Sequence, residues 1–132
     1  LKGVETALPE GLVMVDKDGA ARSQVRVRWW LDELNKRPIH EIARAPKSGL
    51  AQIPNEAMAE NIELARKTHK PVFVGHYWLT GNPEPLSNQV VCTDYSAAID
   101  SGYMTCYQLD TEQPLPLKAS NFVQYRHDEG PL

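Results

Sequence analysis

The sequence predicts an α/β chain of the α+β kind, mostly antiparallel β-sheet with flanking helices. Three observations carry that expectation. Residues 23–30, 89–95 and 103–109 alternate in β-branched and aromatic types, as half-buried strands do. One stretch, 55–69, carries apolar positions at helical spacing between fitting ends. Ten prolines in 132 residues favour many short elements over a helical bundle. The length suits a single domain, 1–132, able to bury a core. It is read as an irregular hairpin with loops (1–54), a helix (55–70) and an antiparallel sheet (71–125).

Taken in order, Pro9 and Gly11 interrupt the opening residues, and Leu12 to Val15 reads as a short strand. Asp16-Lys17-Asp18-Gly19 has the residue types a β-turn selects. Ser23 to Trp30 then puts Val25, Val27 and Trp29 on one face and Arg26, Arg28 and Trp30 on the other. The two strands make a hairpin. Arg26 and Arg28 read either as a solvated strand face or as candidates for contact with a substrate phosphate, whose oxygens a guanidinium fork matches bidentately. Leu31 to Asn35 continues as one helical turn, stopped before Pro38. Residues 36–54 are the least regular, anchored by Ile39, Ile42 and Leu50, with His40 read as a surface residue.

The helix at 55–69 starts on Asn55 as N-cap and ends on Arg66, Lys67 and His69, which suit its negative end. Met58, Ile62 and Ala65 form its apolar stripe, and Pro71 enforces the stop. Val72-Phe73-Val74 follows as a short strand buried on both faces, closing at Gly75-His76. Glycine there permits a sharp turn or a close approach. An imidazole leaving the end of a packed strand is held well for metal ligation. After the Gly/Asn/Pro-rich loop 80–88, strands 89–95 and 103–109 and a last strand at 121–125 favour an antiparallel meander beside the 72–75 strand. The tail from Arg126 is polar and frayed, with His127 a surface residue.

Composition excludes some functions. Hydrophobic content of 42% and charged content of 23% are those of an ordinary globular protein. The net charge of −3, without a Lys/Arg cluster, argues against nucleic acid as a partner. No apolar run approaches a membrane span and no signal pattern opens the chain, so a cytoplasmic protein without a membrane partner is expected. Cys92 and Cys106 fall within predicted strands and read as reduced thiols, although they could face each other across a hairpin. Leu1 is not a plausible translation start, so the sequence reads as a piece of something larger.

The run Gly75-His76-Tyr77-Trp78-Leu79, then Gly81-Asn82-Pro83-Glu84-Pro85, Val90-Val91-Cys92-Thr93-Asp94-Tyr95-Ser96 and Gly102-Tyr103-Met104-Thr105-Cys106-Tyr107 resembles the C-terminal part of calcineurin-like metallophosphoesterases. It is similar to the bacterial branch of serine/threonine protein phosphatases and diadenosine tetraphosphatases. Lys2-Gly3-Val4-Glu5 through Arg26-Val27-Arg28-Trp29-Trp30 resembles the segment preceding that motif. The resemblance implies half of a double β-sandwich carrying two divalent metal ions (Mn, Fe, Zn or Mg) and a bridging hydroxide that attacks phosphorus. It implies that His76, matching the family's final G-H, ligates one metal, and that Asp94 steadies the imidazole from behind; read from the residues alone, Asp94 is equally a polar cap at a strand end. Trp78 stands where many members carry a second His, and Tyr77 and Trp78 would form a substrate loop.

The family's D-x-H, G-D-x-x-D and G-N-H-[ED] motifs are missing. One imidazole does not hold a catalytic metal, which wants at least three protein ligands. The expectation is therefore the C-terminal portion of a metal-dependent phosphatase acting on a phosphorylated substrate. Alone, the chain would be inactive and bind no metal. It would be completed by an N-terminal half and prone to self-association through exposed sheet. The alternative is a self-contained small α/β module that binds a ligand or protein through Tyr77, Trp78 and Tyr95.

Overall fold

A computed structural model describes residues 3–16, 18–59, 62–63 and 69–126, and the backbone of 130–131. The chain divides into two compact units, Lys2–Arg66 and Lys67–Leu132. Both are built from short strands in small, mostly antiparallel sheets, with few helices, as an α+β chain requires. Among the described residues, no helix is long and apolar enough to cross a membrane.

The first unit contains β1 (Glu5–Ala7), β2 (Met14–Val15), β3 (Ala21–Arg22) and β4 (Gln24–Arg26), then two single-turn helices, α1 (Ile39–Ile42) and α2 (Lys47–Leu50). The expected hairpin forms between β2 and β3, not with the longer 23–30 strand. Its turn is closed by Asp16, whose Oδ1 accepts the N–H groups of Asp18 (3.0 Å) and Ala20 (2.9 Å), with Gly19 at φ 79°. Arg22 Nε also bonds Asp16 Oδ2 at 2.9 Å across the hairpin. Ser23 then releases the chain, and β4 pairs antiparallel with β1, Thr6 opposite Val25.

Val25 and Val27 are buried as the alternation requires, but the strand ends there. The N–H of Trp29 turns back to the Val27 carbonyl at 2.9 Å, and Trp29 lies in a turn. The helical turn expected at 31–35 is a 3-10 turn at Leu34–Lys36. A four-residue helix such as α1 has little intrinsic stability, so α1 rests on packing Ile39 and Ile42, both fully buried. Ile39 joins Leu8, Met14, Val25, Ala43 and Ile53 in one cluster, and Ile42 joins Val27, Leu34 and Ile62 in another.

The 55–69 helix is not found where the chain is described. Asn55 and Glu56 lie in a turn, Met58 bridges Pro38, and Ile62 and Glu63 are irregular; residues 60–61 and 64–68 lie outside the described residues. Tertiary bonds take the groups a helix would use. The Ala57 carbonyl accepts from Ile39 N–H (2.7 Å), and the Asn35 side chain receives the Ile62 N–H (2.7 Å) while donating to the Ile62 carbonyl (3.3 Å). Ile62 is buried as expected, but Met58 is solvent-exposed instead of filling the core.

The second unit contains β5 (Val72–Val74), β6 (Val90–Cys92), β7 (Asp94–Tyr95), β8 (Tyr103–Tyr107), β9 (Phe122–Arg126) and β10 (Gly130–Pro131). The meander is present: β7, β8 and β9 run antiparallel in sequence, and β10 adds to β9, where a frayed tail was expected. His127 lies outside the described residues. Two expectations fail. The 89–95 strand breaks at Thr93, so β6 and β7 belong to different sheets, and β5 pairs with β6 in parallel. β5 is also not buried on both faces, since Phe73 is 45% exposed; the fully buried strand is its partner, with Val90, Val91 and Cys92 all enclosed.

An aromatic layer organises the meander. Tyr107 meets Phe122 edge-on at 5.0 Å across the β8–β9 ladder, Phe73 lies 5.8 Å from Tyr107, and Tyr95 meets Phe122 at 6.4 Å. Gly102 is required by close approach. A Cβ there would overlap the Ser96 carbonyl, where the 96–102 loop closes on Tyr103.

Candidate functional site

The parallel pair sets the site. With Val74 opposite Cys92, β5 and β6 end at the same level, and each chain leaves that end two residues later through His76 and Asp94. The N–H of Thr93 bonds the Val74 carbonyl at 3.0 Å, carrying the pairing one step further. Groups just past the carboxyl ends of parallel strands are exposed on a rigid base, where α/β sheets commonly place ligands.

Beyond β5 the backbone is unusual. His76 has φ 67° and Trp78 φ 50°, both left-handed, on either side of Tyr77. For non-glycine residues this conformation costs energy and persists only where surrounding bonds dictate it. Here Asp94 and Ser96 supply them. The Asp94 carboxylate accepts the Trp78 N–H at Oδ2 (3.3 Å) and the Ser96 N–H at Oδ1 (3.2 Å). The Asp94 carbonyl accepts the Leu79 N–H at 2.9 Å, and the Ser96 hydroxyl donates to the Leu79 carbonyl at 3.1 Å. Ser96 is itself left-handed, with φ 60°.

The outcome sorts the sequence-predicted residues. His76 is exposed, its ring edge-on to Trp78 at 6.4 Å. Trp78 is 69% exposed, while Tyr77 between them is buried, so only one of the two proposed loop aromatics faces solvent. Asp94 lies beside His76 in the fold, but its carboxylate serves the backbone of Trp78 and Ser96. Tyr95 is buried, and its hydroxyl accepts the Glu84 N–H at 3.2 Å; burial pushes its phenol above the ordinary value. Gly75 is not crowded, since a Cβ there would come no closer than 4.0 Å to the Asp94 Cβ.

Arg26 and Arg28 belong to the first unit. Arg26 closes β4 and reaches Glu5 Oε1 through Nε at 3.5 Å; Arg28 is exposed just beyond the strand. His40, read as a surface residue, is half-buried, and its Nδ1 is enclosed without a hydrogen-bond partner. Cys92 is buried and Cys106 exposed, and neither is in a disulfide. Ser96 is the residue that sequence reasoning passed over. Its signal was the Asp-x-Ser spacing at a strand end, where an Asp side chain captures the N–H two residues on.

The metal implied by the resemblance can be tested against these positions. An exposed imidazole on a fixed turn is a fit first ligand, but among the described residues no three of His, Cys, Asp and Glu gather as a metal-binding group. The described residues by themselves do not gather the three or more ligands that a catalytic metal takes. Comparison with family models, curated proteins and solved structures returns no match.

Proposed function

We propose that this chain is the C-terminal portion of a metal-dependent phosphoester hydrolase, contributing His76 as one metal ligand and not active alone. One observation carries the reading: an exposed imidazole stands at the end of a parallel strand pair, on a strained turn that Asp94 and Ser96 hold in place. A backbone held in a costly conformation beside a titratable side chain is a mark of functional sites. In this reading the small sheets form part of a double β-sandwich, a complementary polypeptide segment supplies the remaining ligands, and the substrate is a phosphoester. Asp94 acts through the backbone of the turn rather than through the imidazole.

The test is hydrolysis of p-nitrophenyl phosphate with manganese by the 132-residue chain and by the product of the full coding region. The chain alone should be inactive and the longer product active. His76→Ala in the longer product should lower activity and bound metal by about 100-fold or more, since loss even of a group behind a ligand costs 10–100-fold. Activity and metal content unchanged by His76→Ala would sink the proposal.

A second reading draws on a separate observation, the 69% exposure of Trp78 beside the His76 ring. An indole held out on a stiff turn suits a binding module that stacks a flat ligand or anchors a protein partner. A monodisperse chain that binds such a ligand through Trp78, with no hydrolase encoded around it, would favour this alternative.

A further inference from the structure

We infer that the outer edge of β5 pairs antiparallel with the same edge of a second copy of this chain, Phe73 opposite Phe73. In the parallel pair, Val72 and Val74 turn their backbone groups toward β6: the Val72 N–H bonds the Gln89 carbonyl at 2.7 Å, and the Val74 carbonyl accepts the Thr93 N–H at 3.0 Å. These groups alternate in direction along a strand, so the N–H and carbonyl of Phe73 point away from β6. No described strand pairs with β5 on that side. Other edges are covered. The Gln52 side-chain amide stands in for a strand beside β2, its Oε1 accepting the Val15 N–H (3.1 Å) and its Nε2 donating to the Val15 carbonyl (3.5 Å). Leu79 donates to the Asp94 carbonyl of β7 (2.9 Å), and β10 lines β9. An uncovered edge is a template for another strand.

This edge fits its own image. About a two-fold axis through the Phe73 pair, each Phe73 exchanges both backbone bonds with the other, and on either side a Gly75 N–H meets the Pro71 carbonyl of the opposite copy. Proline has no N–H to leave stranded there. Residues 71–75 carry no charge, so no like charges are set opposite each other. Phe73 is 45% exposed although its ring lies 5.8 Å from Tyr107. Opposed residues of a hydrogen-bonded antiparallel pair lie about 5.5 Å apart at Cα, which suits contact between two phenyl rings. The pairing therefore carries the aromatic layer of one copy into the next. A self-complementary contact of this kind closes at two copies. The two His76 turns sit at opposite ends of the joined sheet, and the inference does not depend on their role.

The experiment follows the 132-residue chain by amide NMR and sedimentation equilibrium from millimolar to micromolar concentration. The edge is short, so the expected dissociation constant is on the order of 0.1–1 mM. Dilution should move the Phe73 and Gly75 amide signals, while those of Val72 and Val74, which face β6, shift little. A mixture of differently isotope-labelled copies should show a contact between Val72 Hα of one and Val74 Hα of the other, the close, non-hydrogen-bonded pair of this register. Phe73→Pro removes an outward N–H, spares the β6 ladder and should weaken association about tenfold or more. Phe73→Lys, which sets two charges opposite each other on an intact backbone, should do the same. A chain that stays monomeric at millimolar concentration overturns the inference, as does association that moves Met104 and Tyr125 on the exposed meander face instead of Phe73. The dilution and mixing readouts use the unaltered chain, so they decide the matter even if a variant does not fold.

Discussion

Asp94→Ala removes the one side chain that accepts two backbone N–H groups at the His76 turn. Hydrogen bonds to a charged acceptor contribute about 1.5–3 kcal/mol each when short and enclosed. These are 3.3 and 3.2 Å long, at or past the long end of the usual N–H···O range, and water can replace the carboxylate beside an exposed Trp78. About 1 kcal/mol each is the fitting figure, or ~2 kcal/mol together. Relaxation of the left-handed residues returns part of that, because each costs about 1 kcal/mol or more while held. The net loss should be about 1–2 kcal/mol, a fall in Tm of roughly 5–10 °C for a unit of this size. Asp94→Asn keeps one acceptor oxygen and turns an amide donor toward the other N–H, so it should lose about half as much. Thermal unfolding followed by circular dichroism gives the stability, and amide NMR signals of Trp78, Leu79 and Ser96 report the turn. Two results would refute the reasoning. One is an Asp94→Ala chain with unchanged Tm and unmoved Trp78 and Ser96 amides; the other is Asp94→Asn costing as much as Asp94→Ala.

Two further outcomes follow from single positions. Burial raises the Tyr95 phenol above its ordinary 10.0, so the folded state favours the neutral form. That contribution is complete below the unfolded value and is lost as pH rises through the folded one; urea midpoints should drop above pH 10 in the unaltered chain and drop less in Tyr95→Phe. Gly102→Ala forces a methyl into the Ser96 carbonyl and should cost about 2–3 kcal/mol or abolish folding of the second unit, whereas Gly75→Ala has space and should change stability by about 0.5 kcal/mol or less; equal denaturation curves for the two would contradict the packing described.

Local chemistry was the legible part of this sequence. The Asp16–Gly19 turn, the buried Val25 and Val27, the core roles of Ile39 and Ile42 and the three-strand meander all follow from residue type and alternation, because each is settled within a few positions. Partner choice was not. β4 pairs with β1 rather than with its hairpin neighbour, and β5 joins β6 in parallel where an antiparallel sheet was expected over 71–125. The 55–69 stretch has helical spacing, but where it is described the Ala57 carbonyl is taken by Ile39 and the Ile62 amide and carbonyl by the Asn35 side chain, and propensity yields to such bonds. At the site, His76 was visible as a strand-end imidazole. The left-handed backbone around it was not, because neither His nor Trp signals that conformation as Gly or Asn would.

The two thiols differ sharply in access, and that difference gives the second unit a built-in clock. Cys106 lies in the open on β8, while Cys92 is sealed within β6, so an alkylating reagent should mark the first at once and the second only when β6 detaches. The delay between the two modifications times the opening of the strand on which the His76 turn rests, without any engineered label.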